Sequence, residues 1–131
     1  MREVTVQWTG GKFSQNIEVG GHAIRADEET SKGGDDSGAA PHELLLSALG
    51  ACTAMTVKVY AERKAWPLRH VRVKLNGGTG ESGFVISRQL ILEGDLDAEQ
   101  RQRLLDIADK CPVHKTLSGK IDIRTTATVT P

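Results

Sequence analysis

An α+β fold with a mainly antiparallel sheet is predicted for this chain, and three observations carry the prediction. Short alternating segments fill the first 26 residues, a long apolar segment of helical period follows, and strands and helices stay segregated rather than alternating one by one. The predicted order is three strands, a long helix, two strands, a second helix and a last strand. All of it fits one domain over residues 1–131, and a chain of 131 residues can bury a core without disulfide or metal support.

Val4, Val6 and Trp8 alternate with polar residues, which predicts a half-buried strand. Gly10-Gly11 marks a turn, Lys12 to Val19 a second strand, Gly20-Gly21 another turn and His22 to Ala26 a third strand, together an antiparallel meander. Asp27 to Ala40 is different: Ser31, Gly33, Gly34, Asp35, Asp36, Ser37 and Gly38 leave almost nothing apolar. It reads as a loop, and loops this long inside a small domain are often functional.

Pro41 suits the first position of a helix, and Glu43 the first turn, where a negative charge meets the positive end of the dipole. Leu45, Ala48, Leu49, Cys52, Met55, Thr56 and Val59 recur at spacings of three and four. They predict the buried face of a helix of roughly 24 residues ending before Pro67. Gly50 inside it costs about 1 kcal/mol relative to alanine; it either permits close approach of another backbone or is simply tolerated. The helix is apolar along much of its length, so burial on more than one side is expected, and in so small a chain that calls for a second subunit.

Val71, Val73 and Leu75 alternate, Gly77-Gly78 and Gly80 break the pattern, and Phe84, Ile86, Arg88, Leu90 and Leu92 resume it, so residues 69–93 read as a hairpin. Asp97 to Lys110 reads as a second helix, with Asp97 as N-cap and Gln100 completing a capping box. Leu104, Leu105, Ile107 and Ala108 form its apolar side. It stops at Cys111-Pro112, because the residue before a proline is disfavoured in the helical region. Ile121, Ile123, Thr125, Ala127 and Val129 alternate as a last strand.

Composition narrows the function. Seventeen acidic and 17 basic residues give zero net charge, which argues against a nucleic-acid partner and leaves self-association unopposed. No secretory-type segment is visible, and no apolar run approaches a membrane span: Leu44 to Tyr60 is interrupted by Ser47, Gly50, Cys52, Thr53, Thr56 and Lys58. A cytoplasmic location without membrane attachment is therefore expected, where thiols stay reduced.

In such a compartment Cys52 and Cys111 are either inert or reactive. Cys52 lies on the apolar stripe of the long helix, where a free cysteine also packs as a small hydrophobe. Cys111 stands beside Lys110, His114 and Lys115, whose charges favour a thiolate, while the carbonyl end of the preceding helix opposes one. There is no CxxC or HExxH, and His22, His42, His70 and His114 are scattered, so no metal site is expected. There is no GxSxG or P-loop either, and no cofactor is expected.

The run Pro41-His42-Glu43-Leu44-Leu45-Leu46-Ser47-Ala48-Leu49-Gly50-Ala51-Cys52-Thr53, followed by Tyr60-Ala61-Glu62-Arg63-Lys64, resembles the first cysteine helix of the OsmC/Ohr family. These are the osmotically inducible and organic hydroperoxide resistance proteins. Ala108-Asp109-Lys110-Cys111-Pro112-Val113-His114-Lys115-Thr116-Leu117 resembles the family's second cysteine segment. Ala26-Asp27-Glu28 with Gly33-Gly34-Asp35 resembles the loop leading into the first helix. The likeness covers nearly the whole chain, in order.

The resemblance implies an α+β fold, an intertwined homodimer with active sites near the subunit interface, and a thiol peroxidase reaction on organic hydroperoxides. Cys52 would be the peroxidatic cysteine and Cys111 the resolving one, with the disulfide reduced by an external dithiol such as a lipoyl group. One departure marks the chain as divergent. The family's usual glutamate after the helix-starting proline is His42 here, and Glu43 follows one place later. On a straight helix Glu43 lies about 13 Å along the axis from Cys52 and faces roughly the opposite way, so any role for it runs through an arginine or a partner chain. Arg25 is the candidate activating cation. The alternative reading is a non-catalytic dimeric module that binds an apolar or acyl ligand at its interface pocket.

Overall fold

Alternation in the first 26 residues becomes an antiparallel meander of β1 (Thr5–Trp8), β2 (Gln15–Val19) and β3 (His22–Ala26), in sheet order β1-β2-β3. Val6 pairs with Ile17, and Ile17 with Ile24. These observations come from a computed structural model that describes residues Met1–Pro131. The second strand begins at Gln15 rather than Lys12, because the Thr9 N–H donates to the Ser14 carbonyl (3.2 Å) and closes residues 9–14 into a turn. Unlike the half-buried strand expected, β1 is exposed along its whole length. Alternation selects an extended backbone, whereas burial also needs a covering layer.

The chain forms two compact units, Met1–Ser47 and Ala48–Pro131, and α1 (Pro41–Arg63) begins in the first and ends in the second. In the first unit, Asp27 organises the polar loop. Its buried carboxylate accepts from the Glu28 N–H (2.7 Å), the Ser37 N–H (3.0 Å) and the Ser37 hydroxyl (2.6 Å), and its own N–H donates to Ala39 (3.1 Å). The Ser37 hydroxyl, then the Ser37 and Glu28 N–H groups, hold the Asp27 carboxyl below its ordinary range. Two glycines let the loop fold this tightly. A Cβ at Gly34 would sit 2.1 Å from the Glu28 carbonyl oxygen, and one at Gly38 would sit 2.2 Å from that of Arg25.

α1 starts as its sequence dictates. Pro41 occupies the first turn, and Glu43 Oε1 reaches back to accept from the Ala40 N–H (2.8 Å). Its buried residues are Leu49, Gly50, Thr53, Val57 and Ala61, a face rotated from the one expected. Leu45, Met55 and Val59 are exposed instead. A helix apolar nearly all round offers periodicity no contrast with which to choose a face. Gly50 admits the Leu75 side chain rather than another backbone, since a Cβ there would lie 2.7 Å from Leu75 Cδ1. Contrary to expectation, α1 has the length and the mean hydropathy (1.5) of a membrane-crossing helix. That is a match of length and composition alone.

In the second unit, β4 (Leu68–Gly80) and β5 (Gly83–Gly94) pair antiparallel, Val71 against Leu92 and Val73 against Leu90. Gly77, Gly78 and Gly80 continue the ladder instead of ending it, so the turn falls later, at Glu81 and Ser82. α2 (Ala98–Ala108) carries the expected capping box: the Asp97 side chain accepts from the Gln100 N–H (2.8 Å), and Gln100 accepts from the Asp97 N–H (3.0 Å). Val57, Ala61, Leu96, Leu104 and Ala108 form the core, flanked by Tyr60, Trp66, Leu68, Val71, Leu90 and Leu92.

Two departures close the chain. A third helix, α3 (Pro112–Ser118), follows Cys111 where no helix was expected. The predicted last strand is absent: residues 120–131 carry no regular structure, and Ile121, Ile123 and Val129 are exposed. A strand needs an edge to pair with, and no other strand of this chain takes this segment.

Candidate thiol site

Thr53 is fully buried on the inner face of α1. Its hydroxyl donates to the Leu49 carbonyl one turn back (2.7 Å) and accepts from Arg88 Nη1 on β5 (3.0 Å). Cys111 Sγ lies 3.8 Å from the same oxygen. Arg88 is nearly buried, with 11% of its side chain exposed, and its Nη2 donates to Asp109 Oδ1 (2.9 Å) and to His114 Nδ1 (3.1 Å). As acceptor of that bond, Nδ1 carries no proton.

Proline explains the placement of Cys111. Pro112 pushes the preceding residue into extended backbone (φ −64°, ψ 142°) and serves as the first residue of α3. Cys111 thus becomes the N-cap of a new helix, with its sulfur accepting from the His114 N–H (3.3 Å). Cys111 is fully buried, while Cys52 is partly exposed and near enough to favour the Cys111 thiolate. Burial pushes the Cys111 thiol up. The His114 N–H, the Cys52 thiol, the Thr53 hydroxyl and the Arg88 charge outweigh it, so the thiol is held below its ordinary value.

Leu49, Phe84, Ile86, Leu117, Arg88, Asp109, His114 and Ser118 line an open cleft of about 450 Å³ beside this cluster. Four of these residues are apolar, and Arg88, Asp109 and His114 belong to the network beside Cys111.

Of the four residues singled out from sequence, Cys52 and Cys111 lie near each other in the second unit. Arg25 and Glu43 belong to the first. Arg25 is exposed on β3, where its Nε donates to Asn16 Oδ1 (2.9 Å), and Glu43 caps α1. No group of three or more His, Cys, Asp or Glu residues is arranged to hold a metal ion. Sequence reasoning missed Arg88, Thr53 and Asp109. For Arg88 a signal was available: it stands in register with Ile86, Leu90 and Leu92, a charge in the inward-facing row of β5.

Two neighbouring thiols of unequal exposure beside a nearly buried guanidinium define a dithiol protein of the α+β class. Residues 34–126 match the family described as OsmC-like protein, and the chain belongs to that family. Solved structures share the fold. The OsmC-like protein from Mycoplasma pneumoniae superposes with a TM-score of 0.79 at 20% identity, over 91% of this chain and 88% of that one. An organic hydroperoxide resistance protein, OsmC, from Legionella pneumophila gives 0.69 at 18% identity, over 93% and 92%. The organic hydroperoxide resistance protein OhrB of Bacillus subtilis gives 0.63 at 23% identity, over 93% of each chain. No curated protein matches the sequence.

Proposed function

We propose that this protein is a thiol-dependent peroxidase that reduces organic hydroperoxides as part of a stress response. The observation that carries the reading is the placing of partly exposed Cys52 beside buried Cys111, whose thiolate it helps to favour. The difference in exposure divides the labour. The Cys52 thiolate attacks the terminal oxygen of the hydroperoxide, the O–O bond breaks, and the alkoxide takes a proton and leaves as alcohol. Cys52 is then a sulfenic acid, which Cys111 converts to a disulfide, and an external dithiol such as a lipoyl group reduces the disulfide. Family membership and the hydroperoxide resistance names of the Legionella and Bacillus proteins support the same reading.

Leu49, Phe84, Ile86 and Leu117, which line the cleft, suit the organic tail of the substrate. Arg25 serves as the activating cation of Cys52 in this reading, with Glu43 acting through it; both assignments rest on the family resemblance. The working form is a cytoplasmic homodimer. Support for the dimer comes from the unpaired alternating residues 120–131 and from exposed Met55 and Val59 on α1.

Steady-state turnover with dihydrolipoamide as reductant tests the proposal. Cumene hydroperoxide is expected to be consumed about tenfold faster than hydrogen peroxide, as burial of about two methylene equivalents at ~0.8 kcal/mol each would give. Absence of dithiol-dependent turnover with either peroxide would sink it.

A further inference from the structure

We propose that Arg88 is a positioning residue for the resolving step: acting through Thr53, and braced by Asp109 and His114, it holds Cys111 as the thiolate that closes the disulfide. This rests on the peroxidase reading above and assigns the second half of that reaction to named groups.

Cys111 has no exposed surface, so its sulfur meets neither bulk base nor the peroxide directly, and its ionisation is decided by the groups around it. These come from every element packed on it: Cys52 and Thr53 from α1, Arg88 from β5, Asp109 at the end of α2 and His114 from α3. The adjoining Lys110 is exposed. Arg88 is the buried cation of the set. Its carboxylate partner Asp109 is 68% exposed, so solvent weakens that pairing.

Thr53 supplies the link. Its oxygen already accepts from Arg88 Nη1, so its single proton goes either to the Leu49 carbonyl or to the Cys111 sulfur. Turning the hydroxyl from Leu49 to Cys111 gives the thiolate a second donor beside the His114 N–H. The chemistry then balances. The Cys111 thiolate attacks the sulfur of the Cys52 sulfenic acid, the S–S bond forms as the S–O bond breaks, and the departing hydroxide takes a proton to leave as water.

Two measurements test this. In reduced Cys52→Ser protein, Cys111 is the only thiol, and its thiolate absorbance can be titrated without any peroxide. Adding Arg88→Gln is expected to move the midpoint up by about one unit, a tenfold loss of thiolate at fixed pH, with Arg88→Lys recovering part of the shift. In protein retaining both cysteines, single-turnover oxidation by cumene hydroperoxide is quenched with dimedone. Arg88→Gln and Thr53→Val are expected to close the disulfide about tenfold more slowly, with trapped Cys52 sulfenic acid accumulating, the loss expected from one charge-assisted hydrogen bond. An unmoved midpoint or an unslowed disulfide overturns the proposal. Thr53→Val removes the hydroxyl at nearly constant volume and decides the matter alone if Arg88→Gln fails to fold. If the unmutated pair forms no disulfide at all, the peroxidase reading fails, while the titration still judges Arg88.

Discussion

Cys52→Ser is expected to lower hydroperoxide consumption by about 1,000-fold or more, as loss of a covalent nucleophile does elsewhere. A serine hydroxyl is scarcely ionised at neutral pH, so no nucleophile remains at the exposed position of the pair. Cys111 cannot take over, because it has no exposed surface with which to meet a hydroperoxide. The exchange is nearly isosteric at a partly exposed site, so the fold should survive it. Cys111→Ser should behave differently. Cys52 would still be oxidised once, but its sulfenic acid would persist and drift towards sulfinic acid under excess peroxide. Residual hydroperoxide and intact mass, followed together, separate the two variants. Cys52→Ser protein that keeps turning over would remove Cys52 from the mechanism.

Leu104→Ala should destabilise the protein by about 2–5 kcal/mol, the range for emptying a large aliphatic side chain from a packed core. Leu104 is fully buried among Val57, Ala61, Leu96 and Ala108, with Trp66 and Leu92 close behind. Against a total stability of about 5–15 kcal/mol that loss is severe, and urea unfolding would show it as a lowered midpoint. Leu105, one residue on, is the control. It is exposed, and Leu105→Ala should stay within about 1 kcal/mol of the parent. The pair also reports on the site, because α2 runs directly into Asp109 and Cys111. A loosened α2 should slow disulfide closure as well. Equal costs for Leu104→Ala and Leu105→Ala would contradict the core assignment.

How much of this was legible in the sequence depended on whether one local rule could decide. Alternation located β1 to β5, and the Asp97–Gln100 pair located the start of α2, because each is set by neighbours a few residues away. The buried face of α1 was not legible, since a helix apolar on most sides gives no contrast between Leu49 and Met55. α3 was hidden by reading Pro112 only as a stop. A proline ends one helix and equally well begins the next, and here it does both around Cys111. The last strand failed for the converse reason: residues 120–131 alternate, but alternation does not supply a partner edge.

The site was half legible. Nothing local brings Cys52 to Cys111, and their partnership came from the likeness to a family. Arg88 was within reach of physical reasoning alone, since a charge in an apolar row must find partners when the row turns inward. It found Thr53, Asp109 and His114, drawn from three other elements. Sequence spacing had no means of assembling that set.

The most direct test of the central claim, that Cys52 and Cys111 work as a redox pair, is a single stoichiometric oxidation. Fully reduced protein is treated with one equivalent of cumene hydroperoxide, and free thiols and intact mass are followed over time. The expected result is rapid loss of both thiols with a mass decrease of two hydrogens, which is an intramolecular Cys52–Cys111 disulfide. Persistence of both thiols in folded protein exposed to peroxide would contradict it.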